Sequence, residues 1–311
     1  MSSVEDWPEL NYDEWSDTLE TLHMYSQIVG KVRLGCTPWL NHSWHVPLYV
    51  TPRGLTTSTI HYGSRQFDIE FDFRQHKLII RTSDDQRREI GLQSRTVASF
   101  YKELMGHLEE LRFPVSIYDV PSEVPNPIRF PDDTVHSAYD GTAATRFALV
   151  LNQSVRVFSE FRAKYLGKCS PVHFFWGSFD LAVTRFSGRK APEHPGGIPG
   201  LPDWITREAY SHEVYSCGFW PGGPSSPSAA FYAYAYPVPD DLDQASVAPP
   251  EAFWSGEMDE FFLPYDAVRT ADNPAEVLMS FLQATYGAVA DLGGWNRAEL
   301  EVPDGFPRLK A

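Results

Sequence analysis

The chain has 311 residues, 42 % of them hydrophobic and 22 % charged, an ordinary globular composition with length for one large domain or about two of roughly 150 residues. Lysine and arginine number 26 against 41 aspartate and glutamate, a formal charge of −15. Such a field repels phosphate backbones and anionic lipid, and the basic runs at Gln86–Arg88 and Arg185–Lys190 are short, so neither nucleic acid nor membrane is an expected partner.

The first segment, MSSVEDWPELNYDEW, is acidic and polar, and no run approaches ~18 apolar residues, so neither a signal peptide nor a membrane span is expected. The 3 cysteines, Cys36, Cys169 and Cys217, suit a reduced cytoplasm better than a disulfide framework. A first helix follows Asp13, with Trp15, Leu19, Leu22, Ser26 and Val29 on one stripe, and is expected to stop near Gly30. The period then changes to two. Strands are expected at 44–51, 55–61, 65–73, 77–82 and 88–92, and in the third of these Phe67, Ile69, Phe71 and Phe73 face inward while Asp68, Glu70 and Asp72 face out.

A second helix is expected from the cap Ser94, carrying Val97, Tyr101, Leu104, Leu108 and Leu111. The Pro-rich stretch DVPSEVPNPIRFP, 119–131, reads as a strap across the surface, because Ile128 and Phe130 want burial. A third helix spans Thr142 to Tyr165 with Gly167 as its C-cap. Strands follow at 172–176, 179–186, 211–219 and 230–236, with a weaker one at 260–263. The last helix opens at Asn273–Pro274 and ends at Gly293–Gly294. The irregular loops 190–203 and 240–257 lie between.

The order is helix, four or so antiparallel strands, helix, met twice. This predicts an α+β protein of two pseudo-equivalent halves packed as one unit: 1–118, a connection at 119–141, and 142–311. GKVRLGCTP from Gly30 and GKCSP from Gly167 support an internal duplication, with His45 and His173 each opening the next strand.

Polar density in the second half marks the expected site. Strands that otherwise read as core carry His173, Asp180, Arg185, His212 and Glu213, and an unpartnered buried polar group costs about 1–3 kcal/mol. By parity His173 shares a face with Phe175, and Asp180 and Arg185 fall on opposite faces. The expected pocket takes a small organic molecule, with His173, His212 and Glu213 as acid/base and orienting groups. Trp176, Tyr234 and His45 line it, and Arg185 holds an anionic group. A non-catalytic interaction protein is the alternative, to be distinguished by whether Trp176, Trp220 and Trp254 form a flat patch or line a concavity. A metal-dependent enzyme is a third reading, requiring His45, His173 and His212 to converge with Glu213 or Asp180. No HExxH, CxxC, GxSxG or phosphate-gripping glycine loop is present, and no cofactor is indicated. Cys169 and Cys217 read as inert core thiols.

The segments WPEL (Trp7–Leu10), TLHMYSQIVGK (Thr21–Lys31), SPVHFFWGSFDLAVTRFSGR (Ser170–Arg189) and SHEVYSCGFWPG (Ser211–Gly222) resemble a family of uncharacterised bacterial proteins catalogued as a domain of unknown function. The resemblance spans nearly the whole chain. It implies a soluble bacterial protein built as one unit and carries over no catalytic residue.

Overall fold

The computed structural model of the protein describes residues 6–198, 200–224, 226 and 228–303. The first five residues of the acidic amino-terminal segment, and Pro199 of the loop at 190–203, lie outside the described residues.

Helix α1 (Tyr12–Cys36) starts where the Asn11 side chain accepts from the Asp13 N–H, with Asp13 and Glu14 in the positive first turn. It does not stop at Gly30. The helix runs on to Cys36, and Gly30 serves instead as a gap in which the Trp176 indole lies directly against the backbone. Then come β1 (Tyr49–Thr51), β2 (Gly54–Thr56), β3 (Ile60–Tyr62), β4 (Arg65–Asp72), β5 (Lys77–Thr82) and β6 (Arg87–Gly91). They form one antiparallel sheet ordered β1-β2-β4-β5-β6, with β3 also on β4. The strand expected at 55–61 is thus interrupted: Thr57 turns its hydroxyl to the Ile69 N–H, and Ser58 takes a left-handed conformation.

On β4, Phe67, Ile69 and Phe71 enter the core, as the alternation predicts. Glu70 and Asp72 are buried as well, because Arg81 and Arg53 cover them in ion pairs of 2.5 Å each. Helix α2 (Val97–Glu110) is capped by the Thr96 hydroxyl, two residues after the expected Ser94.

The second half repeats the sequence helix, meander, helix. Helix α3 (Gly141–Arg162) is capped by Asp140, and ends at Ala163 rather than at Gly167. The strands are β7 (His173–Phe175), β8 (Asp180–Lys190), β9 (His212–Trp220), β10 (Ala230–Tyr236), β11 (Phe253–Ser255) and β12 (Glu260–Pro264). The short helix α4 (Asp203–Ala209) precedes β9, α5 (Tyr265–Arg269) follows β12, and α6 (Pro274–Leu292) and α7 (Arg297–Leu300) close the described chain. The strands form a second antiparallel sheet of six, ordered β11-β12-β10-β9-β8-β7. The fold is therefore α+β, with two six-stranded antiparallel sheets in two halves.

The first strand of each half joins the sheets. Leu48 and Phe174 exchange both backbone hydrogen bonds, each 2.9 Å, so β1 and β7 run edge to edge. Leu181, Val183, Cys217, Phe219 and Phe231 face the helices, where Phe158 and Phe161 of α3 and Phe281 and Leu282 of α6 complete a continuous core. The opposite face of the second sheet carries the polar residues. Loops cover it at 39–46, 118–126 and 191–210.

Candidate functional site

The expected site residues are not brought into one pocket. His173 is fully buried at the start of β7, ringed by Trp44, Tyr49 and Phe175. Burial first, then the charge of Arg33, pushes its imidazole down to about 3, so it is neutral. On β8, His173 stands opposite Ala182 and His212 opposite Lys190. The Trp44 and His42 rings stand between the two histidines, the first 6.1 Å from His173 and the second 6.1 Å from His212.

Glu213 is engaged by Arg189 at 2.6 Å and by the Ser187 hydroxyl at 2.8 Å. Arg185 lies on the helix side of the sheet, its guanidinium 3.4 Å from the centre of the Phe161 ring and 4.3 Å from that of Tyr286. It therefore cannot hold a ligand on the face of His173 or Tyr234. Trp176 packs on Gly30 of α1, 5.7 Å from the Lys31 ammonium, and donates to the Val46 carbonyl at 2.9 Å. His45 is buried, and its Nδ1 accepts from the Leu40 N–H. Among the described residues no group of three or more His, Cys, Asp or Glu is placed to hold a metal ion. Burial raises the thiols of Cys169 and Cys217, to about 11 and about 12, which keeps both protonated. Trp220 covers Gly223 and Trp254 stands edge-on to Phe261, so each packs against its own neighbours and neither supports a shared aromatic patch.

A different set of residues does converge, and Tyr234 and Asp180 belong to it. Asp180 opens β8 and accepts short hydrogen bonds from the Ser178 and Tyr232 hydroxyls. Tyr232 can cross the sheet because Gly218, opposite it on β9, has no side chain; a Cβ there would collide with the phenol. Tyr234 follows on the same face, its ring stacked 6.1 Å from Tyr232, and its hydroxyl is 2.9 Å from that of Tyr210. His194 stacks on Tyr210 at 4.9 Å and brings the 191–210 loop over this edge. Glu260 opens β12 with the parity of Phe262, which pairs with Tyr232, so its carboxyl joins the same face.

The remaining wall comes from the strap. Gln27 of α1 holds Ser122 by two 2.7 Å bonds, accepting from its N–H and donating to its carbonyl, as a paired strand would. Lys31, one turn further on, donates to the Ser122 hydroxyl at 3.0 Å. Glu123 is thereby set against the Gly177 backbone, where a Cβ would overlap its carboxylate.

Glu123 of the strap and Glu260 of β12 thus each lie within electrostatic reach of Asp180 on β8. Burial and the Asp180 charge push Glu123 up to about 7, and the same two causes push Glu260 up to about 7. Asp180 is also raised, by burial. Lys31 is lowered to about 8 by burial, with Asp119 and Glu123 acting the other way. Glu123 nonetheless keeps an exposed side chain and Glu260 a half-exposed one. Enough protein surrounds their carboxyls to weaken hydration, while the side chains remain reachable from solvent. Two carboxyls poised near neutrality beside tyrosine hydroxyls can take and return a proton, and can pair with a cation.

The alternation of tyrosine and alanine along β10 puts Tyr232 and Tyr234 on one face. Glu123 carries no local signal, since Gln27 and Lys31 of α1, far off in sequence, hold the strap where Glu123 meets Gly177. A groove between α2 and residues 114–116, lined by Tyr101, Met105 and Val115 among others, lies apart from these residues.

A family model described as a family of unknown function, DUF5996, matches residues 7–302. No curated protein and no solved structure matches the chain.

Proposed function

We propose, for a chain that belongs to this family of unknown function, that the cleft between the strap and the second sheet binds a small organic molecule bearing a cationic amine. The observation that carries the reading is the convergence of Glu123, Asp180 and Glu260 from three separate segments beside the Tyr210, Tyr232 and Tyr234 hydroxyls. Carboxyls that raise one another through their charge are relieved by a bound cation. If the bound molecule is also transformed, Glu123 and Glu260 are the acid/base pair, because both are solvent-reachable and held near neutrality. The amine replaces the anion expected for this half, since Arg185 is committed to the aromatic cage on the other face.

On this reading the connection at 119–141 is part of the site, supplying Glu123 to the half that spans 142–311. The matching order of helix, meander and helix supports a duplication whose second copy gained the cleft. The free thiols Cys36, Cys169 and Cys217 suit a cytoplasmic setting. Among the described residues, no helix is long and apolar enough to cross a membrane.

Thermal unfolding with agmatine, putrescine, glycerol and acetamide at pH 6 and pH 8 tests the proposal. The two amines are expected to raise Tm, more at pH 8 where the carboxyls are ionised, and the Glu123→Gln/Glu260→Gln double variant is expected to lose that gain. Amines that act no better than the neutral probes, or a gain that survives in the double variant, would refute it.

A further inference from the structure

Where β1 meets β7, two buried donors stand without acceptors. Arg33 is 8 % exposed, its Nη1 donates to the Thr57 carbonyl, and its Nε has no partner. His173 is 0 % exposed and its Nδ1 has no partner. Between them stands Tyr49, with its ring centre 5.5 Å from the Arg33 guanidinium carbon and its hydroxyl 3.5 Å from His173 Nε2.

The direction of these bonds follows from what each group can do. A guanidinium only donates, so the Tyr49 oxygen that supports Arg33 accepts from it. In the His173 tautomer that accepts the Tyr49 proton at Nε2, the imidazole proton stands on Nδ1. Arg33 Nε is thus a buried N–H donor that lacks an acceptor, and His173 Nδ1 is a second one in that tautomer.

Charge points the same way. Arg33 faces Tyr49 and His45, and His173 faces Arg33 and Arg162, with no carboxylate among these partners.

We propose that Arg33, Tyr49 and His173 form a binding site for a small oxyanion, a carboxylate or phosphate group, at the seam between the two sheets. The guanidinium fork and the His173 Nδ1–H supply donors to acceptor-only oxygens, and Tyr49, half-exposed on β1, stands between them on the side open to solvent. The site rests on donors rather than on the carboxyls of the cleft, so it stands or falls independently of the amine reading.

The test is Tm and NMR titration of the full chain with sodium phosphate and with sodium acetate, each against sodium chloride at equal ionic strength. Phosphate or acetate is expected to raise Tm above chloride, and which of them does so identifies the group. The half-saturating concentration is expected to rise at least tenfold in Arg33→Gln and several-fold in Tyr49→Phe, with the His173 Nδ1 proton resonance moving on anion addition in the wild type. Should Arg33→Gln fail to fold, Tyr49→Phe and the His173 resonance decide. Anions that stabilise no more than chloride, or an unmoved His173 resonance with unchanged affinity in Tyr49→Phe, would overturn the proposal.

Discussion

A Cβ at position 30 would come within 2.3 Å of three atoms of the Trp176 indole, whereas one at position 35 would meet only the Ser116 carbonyl at 3.6 Å. Both glycines lie in α1 with ordinary helical backbone, so the two sites separate close packing from helix propensity. Trp176 cannot swing away, because its Nε1 is bonded to the Val46 carbonyl and the ring is buried. Gly30→Ala is therefore expected to cost about 1–3 kcal/mol through overpacking. Gly35→Ala is expected to be neutral or to stabilise by up to about 1 kcal/mol, since alanine favours the helix. Urea midpoints of the two variants check this, and equal losses would mean that the indole is not held against Gly30.

At the scale of elements, Asp140 sets the start of α3 by accepting from the Thr142 and Ala143 N–H groups at 2.7 and 3.2 Å. Asp140→Ala is expected to lower stability by about 1 kcal/mol, and Asp140→Asn by less, because asparagine caps nearly as well. Comparable urea midpoints for the two variants would count against the cap. Elements of this kind were legible where period and termini agree. β5 and β10 have the expected bounds, β4 differs by one residue, and α6 opens at Asn273–Pro274 as read. Misreadings have identifiable causes. Gly30 resembles a helix stop but marks a close approach, and Gly167 lies beyond the last turn of α3, which ends at Ala163. The break between β2 and β3 depends on Thr57 bonding to Ile69 twelve residues on, which no local pattern announces.

At the scale of the molecule, the cleft was hidden for the same reason. Strand period alone puts Tyr232 and Tyr234 on one face of β10, yet their common site with Asp180 needs Gln27 to anchor the strap, 95 residues away, so that Glu123 reaches them. Parity likewise separated Asp180 from Arg185, but it could not say that an aromatic cage of α3 and α6 occupies Arg185.

The assembled cleft leaves a signature in the pH dependence of the whole fold. Glu123 and Glu260 are raised from 4.5 to about 7 in the folded protein. A raised carboxyl stabilises the fold below its unfolded value of 4.5, and that contribution is lost as pH rises through about 7. His23 and His173 act in the opposite sense: held neutral by burial, with values near 4 and 3 against 6.5 unfolded, they cost stability as pH falls below about 6.5. Between about 4.5 and 6.5 the two pairs oppose one another, and replacing only the carboxyls uncovers the histidines. The Glu123→Gln/Glu260→Gln variant is therefore expected to gain on the wild type steadily as pH rises from 4.5 to 7, and its own urea midpoint to fall more steeply on acidification. His23 and His173 are unchanged in this comparison, so a constant offset between the two curves across that range would show that the two carboxyls are not held near neutrality and would remove the basis for the cleft as an acid/base site.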